Sequence, residues 1–326
     1  MAIALTVLID RVAPETESAV EQTRNRFNQA VRQILRAETR LNLSSVVAGD
    51  NGEEREIRNV RVFVSPGMPK ELQPLEFDEN FWLAIELAPL RGLLTTTQHA
   101  MAELSDPIHR LMSREEFHAR FSEADHAVWE MQSLTSQLLA EAAKFDLLKK
   151  VFAIDEDVLG LYSYRLSTQE GLFDSEPSPN VRADLYWGVI GLVSKVLGVS
   201  VEALTVKVLA HELAHAYTHI GADADGQRWS SELFAKADRG LKEGLAQYYT
   251  VRVLDRLARQ IPEALEAYKR LLPHQPEVYS AHLPWLEHFT PEEVRDAMLS
   301  ARRGGDGTMA NFAGALQNAR KRLRGK

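Results

Sequence analysis

The chain of 326 residues carries a net charge of −8, and 45% of its residues are hydrophobic while 26% are charged. This balance is typical of a soluble globular protein with a sizeable core, and the acidic excess disfavours nucleic acids and anionic membranes as partners. The sequence contains no cysteine, so disulfides, thiolate zinc ligands and a cysteine nucleophile are excluded. The length allows one large domain or two ordinary ones.

Residues 1–150 are predicted to form an N-terminal region, α/β and then helical, whose role the sequence does not reveal. Residues 2–9 are apolar and predict a buried strand; charged residues follow at once, which argues against a signal peptide. Residues 15–41 have the apolar period of a long amphipathic helix. A turn is expected at 49–54, with strands at 57–64 and around 82–86.

The pattern from residue 107 to 151 is helical, with a capping box that begins at Ser113. Scattered histidines in this part are predicted to be surface residues: His99, His109, His118 and His126. No stretch of 18 apolar residues occurs, so no membrane span is expected. The cytoplasm is the expected compartment, since the absence of cysteine is compatible with a reducing environment.

One strand and a series of helices are predicted for the second half of the chain. Residues 158–165 predict the strand, and residues 183–197 an apolar helix that is broken by Gly198. Ser200 is a good cap for the helix that follows. Further helices are expected at 262–272, from Thr290 onwards and at 309–323, with irregular structure at 273–285 and a turn at 304–307.

The most informative segment is His211-Glu212-Leu213-Ala214-His215, within a helix predicted to stop at Gly221. Residues i and i+4 share one helix face, so both imidazoles can point at one metal ion. Glu212 lies about 100° further round the helix, where its carboxylate can reach a water on the metal. These are the groups that a zinc hydrolase needs. The opposite apolar row is expected to face the core.

A catalytic zinc site needs a third protein ligand, and the strongest candidate is Glu243. It lies in a predicted helix with an apolar stripe from Leu241 to Leu257. Gly244 follows it directly and can let one helix backbone lie close to another.

Other ligand sets remain open. His219 shares the face of His215, but about 12 Å of helix separate it from His211, so it is expected to be a pocket wall or to support the ligands. Asp223 or Asp225 is an alternative third ligand. Together with Glu232, this acidic segment also matches most of a calcium-loop spacing, although a solvated polar turn is favoured.

The motifs His211-Glu212-x-x-His215 and Glu243-Gly244-Leu245-Ala246 resemble those of the gluzincin class of zinc metallopeptidases, over about residues 155–260. The resemblance implies an α+β, predominantly helical fold, with a zincin-like domain over 151–326. In such a domain a small sheet places its edge strand, here 158–165, beside the HExxH helix to hold a peptide. It also implies His211, His215 and Glu243 as Zn²⁺ ligands, with Glu212 as the general base.

The sequence departs from this class in two places. Many members carry an acid one turn after the ligand glutamate to orient a histidine, whereas this chain has Gln247, a weaker orienting group. The Gly-x-Met-Glu-Asn segment with which aminopeptidases grip a free amino terminus is also missing. An endopeptidase is therefore slightly favoured over an aminopeptidase.

The expected function is zinc-dependent hydrolysis of a peptide or protein substrate. A donor that stabilises the oxyanion is expected, and the sequence does not choose among Tyr248, Tyr249, Tyr279, His282 and His288. Two alternatives are a non-catalytic, zinc-stabilised helical scaffold and a helical interaction module without metal. The sequence leaves the oligomeric state open.

Overall fold

The computed structural model describes most of the chain apart from the stretches 79–146 and 165–180. The described residues are 2–48, 54–58, 60–66, 68–69, 72–73, 75–78, 147–153, 158–164, 181–304 and 307–325, together with scattered positions between 96 and 137. Over these residues the fold is α+β and mostly helical, as predicted.

Seven short strands lie within the described residues: β1 (Ala2–Ala4), β2 (Ser44–Ala48), β3 (Glu54–Arg58), β4 (Arg61–Ser65), β5 (Glu76–Asp78), β6 (Gly160–Ser163) and β7 (Arg182–Tyr186). The helices are α1 (Leu5–Ile9), α2 (Glu15–Thr39), α3 (Leu147–Phe152), α4 (Trp187–Leu197), α5 (Val201–Ile220), α6 (Ser231–Lys236), α7 (Arg239–Leu257), α8 (Glu263–Leu271), α9 (Leu283–His288), α10 (Pro291–Gly304) and α11 (Met309–Arg324). Two 3₁₀ turns, Leu272–His274 and Glu277–Ser280, connect α8 to α9.

A three-stranded mixed sheet has the order β4-β7-β6. Strand β4 pairs with β7 in parallel, and β6 pairs with β7 antiparallel, with Gly160 opposite Leu185. Among the described residues, β6 is therefore an edge strand, and it lies against α5. The strand predicted at 158–165 is confirmed over Gly160–Ser163.

Helix α5 carries the HExxH motif and is the centre of the molecule. Its N-terminus is capped by Ser200, whose side chain accepts a hydrogen bond from the Ala203 amide. Every residue from Ala203 to His219 is buried, because α2, α4, α7, α8 and β6 pack around the helix. The predicted core row is confirmed, but the histidine face is buried as well, so the helix has no solvent-exposed side.

Gly221 ends α5, as predicted, but not by adopting a left-handed conformation. Its φ is −60°. A Cβ at this position would lie 2.4 Å from the Tyr217 carbonyl oxygen and 2.9 Å from Cβ of Leu41. Glycine is needed here because the chain that follows α2 passes close to the end of α5. Gly198, by contrast, has a φ of 64° and gives α4 a left-handed end.

Part of the N-terminal prediction is wrong. The strand expected at 2–9 extends only over Ala2–Ala4 and is followed by α1, because Leu5, Leu8 and Ile9 have the spacing of a buried helix face. The long helix is confirmed as α2. The strand expected at 57–64 is two strands, β3 and β4.

Several other predictions concern residues between 49 and 126, many of which lie outside the described residues. The turn at 49–54 lies largely outside the described residues, and the strand at 82–86, His99, His109 and His118 lie outside them entirely. His126 is exposed and pairs with Glu130, as expected of a surface residue. The capping box at Ser113 is confirmed by its reciprocal bonds with Glu116.

The helix predicted at 183–197 begins too early. Residues 182–186 form β7, the central strand of the sheet, and α4 starts at Trp187. The strand is buried on both faces over its last four residues. An apolar run without a break, residues 185–193, crosses from β7 into α4, and such a run does not distinguish a buried strand from a helix. The helices predicted from 262, 290 and 309 are confirmed as α8, α10 and α11.

The two halves of the chain share one core. Helix α2 packs against α5 and α7, and strand β4 completes the sheet that holds β6. The division at residue 150 stays a prediction. No helix within the described part of the chain has the length and apolar character needed to cross a membrane.

Candidate metal centre

Three predicted ligands converge between α5 and α7. Nε2 of His211 lies 3.2 Å from Nε2 of His215, and Oε2 of Glu243 lies 3.3 Å from the first and 3.2 Å from the second. All three residues are buried. The i, i+4 spacing places the imidazoles on one face of α5, and the packing of α7 across that face supplies the carboxylate.

The size of this triangle fits zinc. In a tetrahedral site with ligand bonds of about 2.0–2.1 Å, neighbouring ligand atoms lie about 3.3 Å apart. Each of the three measured separations agrees with this value to about 0.1 Å. Within the described residues, only these three histidine and acidic side chains form such a group, which leaves one tetrahedral position for a non-protein ligand.

The charge of Glu243 is set by two opposing effects. Burial raises the pKa of its carboxyl, but the imidazoles of His215 and His211 outweigh burial, and the pKa lies well below its ordinary value. The carboxylate is therefore ionised at neutral pH. A buried anion beside two imidazole nitrogens is a ligand set that suits a divalent cation.

Glu212 lies beside the triangle, against the edge strand. A Cβ on Gly160 would lie 2.6 Å from Oε1 of Glu212 and 2.8 Å from Cγ1 of Val208. The glycine at the start of β6 therefore makes room for the carboxylate. Glu212 is 1% exposed, and it lines the same cleft as His211.

This cleft runs between α5, β6 and the 3₁₀ turns. It is lined by Phe152, Val158, Leu159, Gly160, Lys207, Val208, His211, Glu212, Gln275, Pro276 and Tyr279. It brings His211, Glu212 and the first residue of the edge strand around one small space, with room for about one water molecule.

Tyr279 is the oxyanion candidate that lies at the cleft, with its ring centroid 5.8 Å from that of His211. His282 is buried within 2.6 Å of the Tyr268 hydroxyl, and burial lowers the pKa of His282 to about 4. His288 is a surface residue with a side chain that is 58% exposed. Of these three candidates for the oxyanion donor, only Tyr279 lines the cleft.

The remaining two candidates, Tyr248 and Tyr249, do not line the cleft. Both are buried and stack edge to face, with ring centroids 5.3 Å apart. Burial raises the pKa of Tyr248 to about 12. The charged groups that act on the hydroxyls of both tyrosines include Glu38 and Arg295.

Lys207 is the residue at the cleft that sequence reasoning missed. It lies one turn before His211 on the same helix and is 2% exposed. The signal in the sequence was a lysine at i−4 from the first ligand, in a helix that is otherwise apolar over this stretch.

Gln247 and Gly244, which lie on the same helix as Glu243, have specific neighbours. The Gln247 amide donates a hydrogen bond to Oε1 of Gln275 at 3.1 Å, so it holds a residue of the cleft wall. Gly244 does not serve the purpose that was predicted for it. A Cβ there would lie 2.6 Å from the ring of Trp285, so the glycine makes room for α9.

His219 is not part of the triangle, in agreement with the prediction. Its Nδ1 lies 2.8 Å from the Tyr162 hydroxyl of β6, and its Nε2 lies 3.1 Å from Oγ of Ser231. Its ring stacks on Phe234 with centroids 4.2 Å apart. His219 therefore connects the motif helix to the edge strand and to α6.

The acidic loop after α5 does not have the structure of a calcium site. The guanidinium of Arg303 lies 2.7 Å from Asp223 and 2.6 Å from Asp225. Glu232 points to Lys236 instead. The loop is a polar turn that is neutralised by arginine, and neither aspartate joins the ligand triangle.

Comparison with protein-family models, curated proteins and solved structures gave no match.

Proposed function

We propose that this protein is a zinc-dependent peptidase of gluzincin type. The observation that carries the proposal is the triangle of ligand atoms, with sides of 3.2–3.3 Å. One of its residues, His211, lines the cleft together with Glu212. His211, His215 and Glu243 would hold the ion. Zinc in this position would lower the pKa of a water molecule and polarise the scissile carbonyl.

Glu212 has the role of general base. It accepts a proton from the attacking water on its carboxylate and passes that proton to the nitrogen of the leaving amine. Gly160 allows the carboxylate to lie directly against the backbone of β6. The Tyr279 hydroxyl is the candidate donor to the carbonyl oxygen as negative charge develops there.

Strand β6 supports a peptide as the substrate. It is an edge strand among the described residues and lies beside α5. An edge strand presents backbone N–H and C=O groups that an extended peptide can pair with. The bond between Tyr162 and His219 fixes this strand to the motif helix, so a bound peptide would be held in register with the ligands.

The scaffold alternative requires a closed site. Structural zinc has four protein ligands, whereas the described residues provide three. This difference favours the enzyme, and the two functions differ in what they predict for Glu212.

Metal analysis and one substitution test the proposal. The purified protein should bind about one zinc per chain, and Glu212→Gln should keep that zinc while peptide cleavage falls by about 10²–10⁴-fold. A suitable assay is mass spectrometry of a random peptide library after incubation. Protein without zinc would support the metal-free interaction module, and zinc with no Glu212-dependent cleavage would support the scaffold.

The control variant is Glu232→Gln. Glu232 is an exposed glutamate that pairs with Lys236 outside the cleft, so this change should leave both zinc content and cleavage as in the wild type.

A further inference from the structure

Two glutamine side chains meet at a wall of the cleft. Gln247 lies on α7 one turn after Glu243 and is 0% exposed. Its Nε2 donates a hydrogen bond of 3.1 Å to Oε1 of Gln275, which lines the cleft together with His211 and Glu212. The pair therefore connects the helix of the third predicted ligand to the candidate active site.

The bond to Gln247 sets the orientation of the Gln275 amide. A carboxamide carries an acceptor oxygen on one side and an N–H donor group on the other. Because Oε1 accepts from Gln247, Nε2 is directed away from that residue. Among the described residues, Gln247 is the hydrogen-bond partner of this side chain, and Gln275 is partly exposed. The N–H groups of its amide are therefore available to a ligand in the cleft.

A peptide that pairs with β6 leaves one of its own edges uncovered. The N–H and C=O groups of an extended chain point in turn to its two sides, and those that face away from β6 need other partners. The cleft is bounded by α5, by residues 158–160 at the start of β6, and by the segment 272–280 with its two 3₁₀ turns. This segment is the wall that can supply those partners.

Within this segment, Gln275 is suited to a backbone carbonyl. Its amide is neutral, and an N–H donor pairs with a carbonyl oxygen without requiring a charge on the substrate. Tyr279 lies four residues later and is the proposed donor to the scissile carbonyl. Gln275 is therefore left for the carbonyl of a neighbouring substrate residue.

We infer that Nε2 of Gln275 donates a hydrogen bond to a main-chain carbonyl of the peptide, next to the bond that is cleaved. Gln247 positions this donor. The inference rests on the proposed peptidase function, and it adds one residue that contacts the substrate and one that orients it. Because the contact is made to the backbone, it applies to extended peptides whatever their side chains.

Gln275→Met removes the donor and keeps the length of the side chain. A neutral hydrogen bond is worth about two- to tenfold, so the KM of a peptide that the wild type cleaves should rise by that factor. The kcat should stay close to the wild-type value, because the bond is present in both the ground state and the transition state. Gln317→Met, at an exposed position of α11, is the control and should leave KM unchanged.

Gln275→Glu separates substrate binding from a purely structural role. A carboxylate still offers Gln247 an acceptor oxygen, so the connection to α7 is retained, but the group that faces the cleft becomes an acceptor. We expect KM to rise at least as much as in Gln275→Met. Gln247→Met, which removes only the orienting bond, should raise KM by less than either. A structural pair would give the opposite order, with a wild-type KM in Gln275→Glu and equal losses in the two methionine variants, and that result would overturn the inference.

The substrate carbonyl can be located with thioamide peptides. A thioamide replaces one main-chain amide at a time, outside the cleaved bond, and sulfur is a weaker acceptor than oxygen. At one position KM should rise with the wild type but not with Gln275→Met, since a shared contact makes the two changes non-additive. Additive effects at every position would contradict the contact. Circular dichroism melting of each variant checks that it folds.

Binding provides a readout that does not need hydrolysis. Isothermal titration of the zinc-loaded Glu212→Gln variant gives the Kd of the peptide, and adding Gln275→Met should weaken binding by the same two- to tenfold. An unchanged Kd would overturn the inference and leave the proposed function intact. If the wild type cleaves no peptide, the proposed function fails, whereas Gln275-dependent binding of peptides would still support the contact. Absence of both cleavage and binding would overturn both.

Discussion

The molecule has two clusters of possible metal ligands, one formed by α5 and α7 and one in the loop that follows α5, and their surroundings differ. In the triangle, His211, His215 and Glu243 are buried, with ligand atoms 3.2–3.3 Å apart. In the loop that follows, Asp223 and Asp225 share the guanidinium of Arg303. The loop carboxylates already have a cation from the protein, whereas the triangle has an arrangement that an ion can complete. Ligand-type residues at a suitable spacing are therefore not sufficient evidence for a metal site.

The largest expected effect is the loss of zinc from the triangle but not from the loop. Glu243→Ala should lower zinc affinity by more than about 100-fold, since even partners of ligand residues contribute 10–100-fold. Asp223→Ala should change zinc affinity by less than about twofold, because that carboxylate is neutralised by arginine. Titration against a competing chelator measures both. Similar losses in the two variants would remove the distinction between the clusters.

The second prediction concerns His219, which lies between the clusters along the chain. Burial, followed by the charges of Arg302, His215 and Lys242, lowers its pKa to about 3. The unfolded chain binds a proton near pH 6.5 and the folded chain does not, so the free energy of unfolding should fall as the pH drops below 6.5. By pH 5 the free energy of unfolding should have fallen by about 2 kcal/mol because of His219.

Urea unfolding at pH 7 and pH 5, in the presence of a chelator, measures this loss of unfolding free energy. His219→Gln should lose about 2 kcal/mol less than the wild type between the two pH values. An equal loss in both proteins would mean that His219 is not held neutral in the fold.

The third prediction concerns Gly160, and it distinguishes the role proposed for Glu212 from that of the metal ligands. Gly160→Ala places a methyl group where Oε1 of Glu212 lies, so kcat/KM for peptide cleavage should fall by about tenfold or more. Zinc affinity should stay unchanged, because Glu212 is not a ligand. The matched control is Gly314→Ala, at an exposed helix position with no atom within 4 Å of the added Cβ. A loss of zinc in Gly160→Ala would contradict this division of roles.

The smallest effect is expected at the loop. Arg303→Met removes the guanidinium from Asp223 and Asp225, but the side chain of Arg303 is 47% exposed. Exposed ion pairs contribute little, so Tm should shift by no more than about 2 °C. Zinc content and peptide cleavage should be as in the wild type. A large loss of either would show that the loop supports the triangle.

The proximity of His211 and His215 could be predicted because it follows a local rule. A helical i, i+4 pair fixes the relative position of His211 and His215 whatever surrounds the helix. The capping signals at Ser200 and Thr290 were equally local, and both caps are present: Ser200 accepts from Ala203, and Thr290 forms reciprocal bonds with Glu293. The position of Glu243 was harder to predict. Its carboxylate reaches the two histidines only because α7 packs across α5 at the height of His211 and His215.

The sequence could not show features that depend on distant segments. The strand at 182–186 pairs with β4, which lies more than 100 residues earlier in the chain. The apolar residues at its end continue into α4 without a break, so the sequence pattern did not separate the strand from the helix. Gly160 lies against the carboxylate of Glu212, which belongs to another element. The residues around Gly160 in the sequence therefore gave no sign that this position has to be a glycine. Lys207 was overlooked because burial of a lysine is rare and only the packed structure reveals it.

The parallel pairing of β4 with β7 and the packing of α2 on α5 bear on protein engineering. A fragment excised at residue 151 and grafted elsewhere would retain every proposed ligand, yet its central strand would have an open flank and its motif helix a bare apolar side. Such a fragment would contain every residue that lines the cleft, but it would lack the segments that pack against the sheet and the motif helix.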